Sequence, residues 1–140
     1  MKVFVTGNFG YVGTVLENLL EKENYEVIGC DVGYFPKSLI NSQSYLDKKN
    51  YLRKDIRNIT SNDLEGIDAI CHLAGLSNDP MGEINEELTY TINYKTTVAL
   101  AKTAKKAGVK RFIFSSSCSS YGANQDIVDE KSDVSPLTAY

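Results

Sequence analysis

The 140-residue sequence has no tryptophan, one histidine, three prolines and three cysteines. Cys30, Cys71 and Cys118 stand far apart, with none of the short spacings of a metal-binding pair. They read as reduced thiols at strand ends, as in a cytoplasmic protein, and no metal site is expected. No apolar run approaches the roughly 20 residues that a bilayer-spanning helix needs. Neither sign of charge dominates: 15 Lys and Arg are scattered among 18 Asp and Glu, for a net charge of −3. That leaves no basic stripe for nucleic acid and no polybasic patch for a membrane surface. An apolar strand begins at Lys2, so a signal peptide has no room. What remains, 42% hydrophobic and 24% charged residues, has the balance of one ordinary globular domain.

The informative stretch is Lys2 to Gly13, KVFVTGNFGYVG. Lys2 to Thr6 is a β-branched and aromatic run suited to a buried strand. Gly7, Gly10 and Gly13 follow at G-x-x-G-x-x-G spacing. From Tyr11 to Leu20 an apolar stripe of Val12, Val15, Leu16, Leu19 and Leu20 predicts a helix. Strand, glycine turn and helix together make a phosphate-binding turn the preferred reading over a turn that binds nothing. Gly7 would allow the tight turn, Gly10 the approach of a pyrophosphate, and Gly13 close helix–strand packing. The free N–H groups at the helix start would hold the phosphates.

The second strand, Tyr25 to Cys30, ends at Asp31, 18 residues after Gly13. That separation suits the acid that accepts hydrogen bonds from an adenosine ribose. A carboxylate there repels a 2′-phosphate, and no Arg sits in the glycine turn or just after Asp31 to offset it, which favours NAD over NADP. A short helix is expected over Ser38 to Asp47, a third strand over Tyr51 to Lys54, and a turn capped by Ser61 and Asn62 around Leu64. Asp68 to Leu73 is the fourth strand, followed by a polar loop from Ala74 to Gly82. Glu83 to Ala107 reads as one long helix, with Leu88, Ile92, Thr96, Ala99 and Thr103 on one side and Gly108 as its stop. Tyr90 and Tyr94, four apart, are expected to pack. Val109 to Ser115 is the fifth strand. His72, inside a buried strand, reads as a packed core histidine rather than a base. Alternating strands and helices imply an α/β fold with a Rossmann-type, doubly wound parallel sheet of about five strands.

With these motifs in order, the chain resembles the N-terminal part of an extended short-chain dehydrogenase/reductase of the NAD-dependent epimerase/dehydratase family. The resemblance rests on TGNFGYVG, Asp31, the pair Asp55-Ile56, the HLAG run His72 to Gly75, SSSCSSYG, and the closing PLTAY, and it covers all 140 residues. It implies that Gly7, Phe9, Gly10, Tyr11, Val12 and Gly13 wrap the NAD pyrophosphate. Asp31 would hold the adenosine ribose, and Asp55 and Ile56 would flank the adenine. Leu73, Ala74, Gly75 and Ser115 would line the cofactor, with Ser77 near substrate and Asn93 supporting the site from its helix. Ser117 and Tyr140 match the family's catalytic Ser and Tyr, Ser117 also meeting substrate.

A tyrosine with a pKa near 10 is a poor base at neutral pH. A neighbouring Lys⁺ and the cofactor's positive ring would lower it. The family pattern has that Lys four positions after the Tyr, beyond the last residue of this sequence. A 140-residue chain is therefore expected to bind NAD weakly or not at all, to leave apolar sheet surface open and to turn over nothing. Three readings fit: a piece of a sugar-nucleotide epimerase or dehydratase acting on a small-molecule substrate, a reductase of a non-sugar alcohol or ketone, and a non-catalytic NAD-binding module. The HLAG run and the loop Ser77-Asn78-Asp79-Pro80 favour the first by family analogy. The resemblance also implies a homodimer through the helix 83–107.

Overall fold

A computed structural model describes residues 1–35 and 51–140. Among these residues five strands form one sheet in the order β3-β2-β1-β4-β5. They are β1 (Lys2–Thr6), β2 (Glu26–Asp31), β3 (Tyr51–Arg53), β4 (Ala69–His72) and β5 (Arg111–Phe114). Every pairing is parallel, as the alternation of strands and helices predicts. The helix expected over Ser38 to Asp47 lies outside the described residues.

β1 is central and buried on both faces, which is why its sequence is almost wholly apolar. Val3 and Val5 point to one face, where they cluster with Val27, Ala69 and Cys71 beneath Leu16 and Leu20 of α1 (Tyr11–Lys22). Phe4 points to the other, with Cys30, Leu64, Ile67, Ile70, Leu100 and Ala104. Each fully buried Val, Leu, Ile or Phe among them is worth roughly 1.5–3 kcal/mol. The chain runs outward from β1 to β2 and β3, then crosses back to β4 and β5. The crevice at the carboxyl ends of β1 and β4 is therefore a topological switch point, where open α/β sheets bind ligands.

Several local expectations shift. The apolar stripe of α1 divides: Leu16 and Leu20 pack on the sheet, while Val12, Val15 and Leu19 stay more than half exposed. The loop after β4 ends sooner than Gly82, because Asn78 starts a helix, α2 (Asp79–Ile84), by accepting the Met81 N–H at 3.0 Å. The single helix expected over Glu83 to Ala107 is broken at Asn85, which is extended (φ −153°) and accepts the Leu88 N–H at 2.8 Å. From there α3 runs as an α-helical turn Glu86–Thr89, a π-helical stretch Tyr90–Thr96 and an α-helix Thr97–Lys106.

A π turn takes up an extra residue and rotates all that follows. The buried positions are accordingly Thr89, Thr96, Leu100 and Ala104, and Ala99 faces outward. Tyr90 and Tyr94 do pack, with ring centroids 4.9 Å apart. Ser61 makes no side-chain cap. Its expected task falls to Asp63, which accepts from the Thr60 N–H at 2.7 Å. β5 is an edge strand, with Ile113 and Phe114 half exposed. Its hydrogen bonding reaches one residue further, from Ser115 N to the His72 carbonyl at 3.1 Å. Among the described residues no helix is long and apolar enough to cross a membrane.

Candidate cofactor cavity and active-site pocket

The strand register places Thr6, Cys30 and His72 side by side at the carboxyl ends of β1, β2 and β4. From these ends the glycine turn, Asp31 and the β4 loop enter one cavity of about 730 Å³. That volume lies within the range of natural small-molecule sites.

The glycine turn forms its floor. Gly7 adopts φ +72°, and a Cβ there would come within 2.8 Å of Ala74 N, so only glycine lets the turn meet the β4 loop. At Gly13 a Cβ would come within 2.7 Å of Asn8 Cα and closer still to the Gly7 carbonyl oxygen, so α1 can sit on the turn only without one. Gly10 N donates back to the Gly7 carbonyl at 2.9 Å. Phe9, Tyr11 and Val12 complete this wall.

Asp31 ties the floor to β2. One carboxylate oxygen accepts the Phe9 N–H at 3.3 Å and the other the Gly33 N–H at 2.8 Å. An ionised carboxylate has about four acceptor positions, so Asp31 keeps capacity for a diol. Asp55 and Ile56 stand on the same wall. Asp55 caps the 3₁₀ turn Ile56–Asn58 through the Arg57 N–H at 2.8 Å. It also holds the Arg57 guanidinium through two bonds, at 2.7 and 3.0 Å. Those guanidinium bonds, before any other cause, hold the Asp55 carboxyl below its ordinary range.

Leu73, Ala74, Gly75, Ser77 and Ser115 line the middle of the cavity. With Tyr140, which also borders the larger cavity, they continue into a smaller pocket of about 120 Å³, where Asn93, Ser117 and Ser120 join. Asn93 sits in the π stretch of α3 and is engaged on both sides. Its Oδ1 accepts the Leu76 N–H at 2.8 Å, and its Nδ2 donates to the Leu76 carbonyl at 2.9 Å. Ser117 starts the 3₁₀ turn Cys118–Tyr121 and accepts the Ser119 N–H at 3.2 Å. Tyr140 is seated against Gly82 of α2, while Thr138 Oγ1 donates to Asp79 Oδ1 at 2.5 Å.

His72 is 1% exposed and hydrogen-bonded at both ring nitrogens. Burial pushes its pKa down to about 4, so it is a neutral core histidine at pH 7. Cys30 and Cys71 are buried thiols; burial pushes Cys30 up to about 12 and raises Cys71 as well. Neither is nucleophilic at neutral pH. Among the described residues no three metal-ligating side chains converge.

Sequence reasoning missed several residues of the walls. Tyr34 and Phe35, an exposed edge-to-face pair, flank the Asp31 end. Lys54 and Arg57 stand beside them, and Met81 and Ile92 reach in from α2 and α3. An exposed aromatic pair directly after the acid was a usable signal for the first two. Nothing in linear spacing marks the others. Asn8 looked unremarkable within the glycine turn, yet its side chain is buried and its amide has no hydrogen-bond partner among the described residues.

Residues 3–140 match the NAD dependent epimerase/dehydratase family. The chain is 33% identical, over its whole length, to the uncharacterized UDP-glucose epimerase YtcB of Bacillus subtilis (strain 168), and spans 47% of that protein. Among solved structures, UDP-glucuronic acid 4-epimerase from Bacillus cereus, in complex with UDP-glucuronic acid and NAD, is 30% identical. It superposes on 99% of this chain with a TM-score of 0.86, the match spanning 47% of its own length. MoeE5, in complex with UDP-glucose and NAD, is 25% identical with a TM-score of 0.86 over the whole chain and 44% of its own. The chain thus spans about half the length of these relatives. The profile match over nearly every residue, the glycine turn and acid set around one cavity, and the parallel sheet beneath them agree: the chain belongs to the NAD dependent epimerase/dehydratase family.

Proposed function

We propose that this chain is the cofactor-binding part of a sugar-nucleotide epimerase or dehydratase that holds NAD in the larger cavity and oxidises a sugar carbinol at the smaller pocket. The observation that carries the proposal is the continuity of the two: Leu73 to Ser77, Ser115, Ser116 and Tyr140 line both. The fit to a dinucleotide rests on the cradle itself. Gly7 and Gly13 are held where a Cβ would strike backbone, and Asp31 faces the same space with acceptor capacity to spare.

Gly7, Phe9, Gly10, Tyr11, Val12 and Gly13 would hold the pyrophosphate at the start of α1. Asp31 would accept from the adenosine ribose, and Asp55 and Ile56 would flank the adenine. Leu73, Ala74, Gly75 and Ser115 would line the rest, with Asn93 bracing the loop and Ser77 touching substrate. NAD, when bound, supplies the two-electron oxidation and re-reduction of the substrate carbon. Tyr140 would take the hydroxyl proton, and Ser117 would donate a hydrogen bond to the same substrate oxygen and hold it in line.

Among the described residues neither Lys nor Arg lines the smaller pocket, so no side-chain cation there assists Tyr140 in taking a proton. A polypeptide of these 140 residues alone is accordingly inactive under this reading. The homodimer through helix 83–107 belongs to the same proposal, supported by the half-exposed Tyr90 and Tyr94 on α3, whose rings pack at a tilt. A cytoplasmic location is supported by three free cysteines.

The test uses the protein expressed from its whole gene, assayed with nucleotide sugars. Tyr140→Phe and Ser117→Ala are each expected to lower kcat by roughly 100-fold or more with NAD affinity retained. Turnover at the wild-type rate in either variant sinks that residue's role.

A further inference from the structure

Thr6 ends β1 and opens the glycine turn, and His72 ends β4. Thr6 Oγ1 lies 2.6 Å from His72 Nδ1, and His72 Nε2 lies 2.8 Å from Thr97 Oγ1 on α3. The same Thr6 oxygen accepts the backbone N–H groups of Leu73 and Ala74, both at 3.2 Å. The Leu73 N–H is shared with the Thr6 carbonyl, also at 3.2 Å.

A hydroxyl has one proton and two lone pairs. Both lone pairs of Thr6 face amide donors, so what remains for His72 is the proton. Among the described residues Thr6 Oγ1 has no other acceptor within reach. His72 Nδ1 is therefore the bare, accepting nitrogen. Nε2 carries the ring proton and donates it to Thr97. Heavy-atom positions do not by themselves give a tautomer; here the count of donors does.

The amides so held belong to the cavity. Leu73 and Ala74 line it, and Ala74 N is the atom that a Cβ at Gly7 would strike. The glycine turn and the β4 loop meet at this point.

We propose that His72, as its neutral Nε2–H tautomer, is a positioning residue that accepts the Thr6 hydroxyl proton, turns the Thr6 lone pairs to the Leu73 and Ala74 N–H groups and so sets the spacing between the two walls of the cofactor cavity. The proposal rests on the reading that this cavity takes a dinucleotide. It separates His72 from a ring that merely fills space against Phe112 and Phe114, whose centroids lie 5.7 and 5.9 Å away. A space-filling ring has no preference between its nitrogens.

Two variants divide these roles in the protein expressed from its whole gene. His72→Asn removes the ring but leaves an acceptor oxygen near the Nδ1 position. His72→Gln removes the ring and reaches the Nε2 position, leaving Thr6 without its acceptor. Both are expected to lose thermal stability to a similar degree. NAD affinity by calorimetry is expected to stay within about 3-fold of wild type for His72→Asn and to fall about 10-fold or more for His72→Gln. Amide exchange at Leu73 and Ala74 should follow the same order, slow in His72→Asn and fast in His72→Gln. In ¹⁵N spectra of histidine-labelled protein, the signal lost in His72→Asn should be that of an Nε2–H ring. An Nδ1–H ring, or equal losses of affinity and amide protection in both variants, overturns the proposal. If the wild type binds no NAD, the cofactor reading fails instead. The exchange rates and the tautomer still decide whether His72 sets the two walls.

Discussion

Gly13→Ala sets two physical effects against each other with opposite signs. Gly13 lies in the first turn of α1. On helix propensity alone, alanine stabilises a helical position by about 1 kcal/mol over glycine. The packing opposes it. The new methyl would overlap the Gly7 carbonyl oxygen and sit 2.7 Å from Asn8 Cα and 2.9 Å from the Asn8 carbonyl carbon. Ordinary contact to such atoms is about 3.4 Å or more, and all three are backbone, so no side chain can swing aside. Either α1 lifts from the sheet or the turn opens by about 1 Å, and overpacking of this kind costs roughly 1–3 kcal/mol. The Gly10 N–H bond to the same Gly7 oxygen, 2.9 Å long, is strained or lost with it, for about 1 kcal/mol more. The net is a loss of about 2 kcal/mol, or roughly 5–10 °C in Tm for a chain of this size. Because the moving part is the cavity floor, NAD affinity should fall more than 10-fold in the same variant. Thermal melts with and without NAD check both expectations. A Tm that rises, with NAD binding intact, would refute the reasoning, since propensity would then have outweighed the contact with backbone.

Acid should destabilise the protein through His72. Its pKa is pushed down to about 4 by burial against an ordinary 6.5, so the unfolded chain binds the proton first and stability falls as pH drops through that window. The loss from this group is about 2 kcal/mol between pH 7 and pH 5. Urea titrations at the two pH values should show it, and His72→Asn should lack that component. Asp31→Ala removes the acceptor of the Phe9 and Gly33 N–H groups and should weaken NAD binding about 10-fold or more; an unchanged Kd by calorimetry would remove Asp31 from the site. Asn8→Ala deletes a buried amide that has no hydrogen-bond partner among the described residues. The change should be neutral or stabilising by up to about 1 kcal/mol, where loss of a well-bonded buried amide would cost stability; denaturant midpoints decide the sign.

What the sequence conveyed, and what it did not, divides along the range of the interactions. β1 is read to the residue, because four successive apolar or β-branched positions, Val3 to Thr6, before a glycine turn have few other uses, and its bounds are Lys2–Thr6 as expected. Asp31 lines the cavity because a βαβ unit fixes the distance from the turn to the end of β2. The burial of His72 follows from its place in an apolar run. The helix after β4 is where pattern reading lost its phase. Its periodicity was counted at 3.6 residues per turn across Tyr90–Thr96, where the chain runs as a π helix. Thr96 Oγ1 donates to the Thr91 carbonyl at 2.9 Å, five residues back. A threonine that turns inward to its own backbone leaves no mark in an apolar count. The boundaries at Asn78 and Asn85 were missed for a related reason. Both are asparagines acting as caps, and a cap is legible only when an apolar run starts just behind it.

The preference for NAD over NADP shows the same division inside the site. In the sequence it rests on the absence of Arg in the glycine turn and just after Asp31. Among the described residues the fold nonetheless brings two cations to that end of the cavity, Lys54 and Arg57, so the argument from absence does not survive folding unaided. Partnership restores the conclusion. Lys54 Nζ pairs with Asp63 at 2.7 Å, and the Arg57 guanidinium is held by both oxygens of Asp55. Each cation is matched by a carboxylate, and Asp31 adds a further negative charge beside them. A 2′-phosphate would have to take Arg57 from Asp55 or Lys54 from Asp63 and still face Asp31. A ribose diol needs only the acceptor positions that Asp31 keeps free. Under the proposed NAD reading, the discrimination would lie in how these cations are paired, a property of contacts across the crossover from β3 to the 3₁₀ turns, with Asp31 as its sequence-visible part.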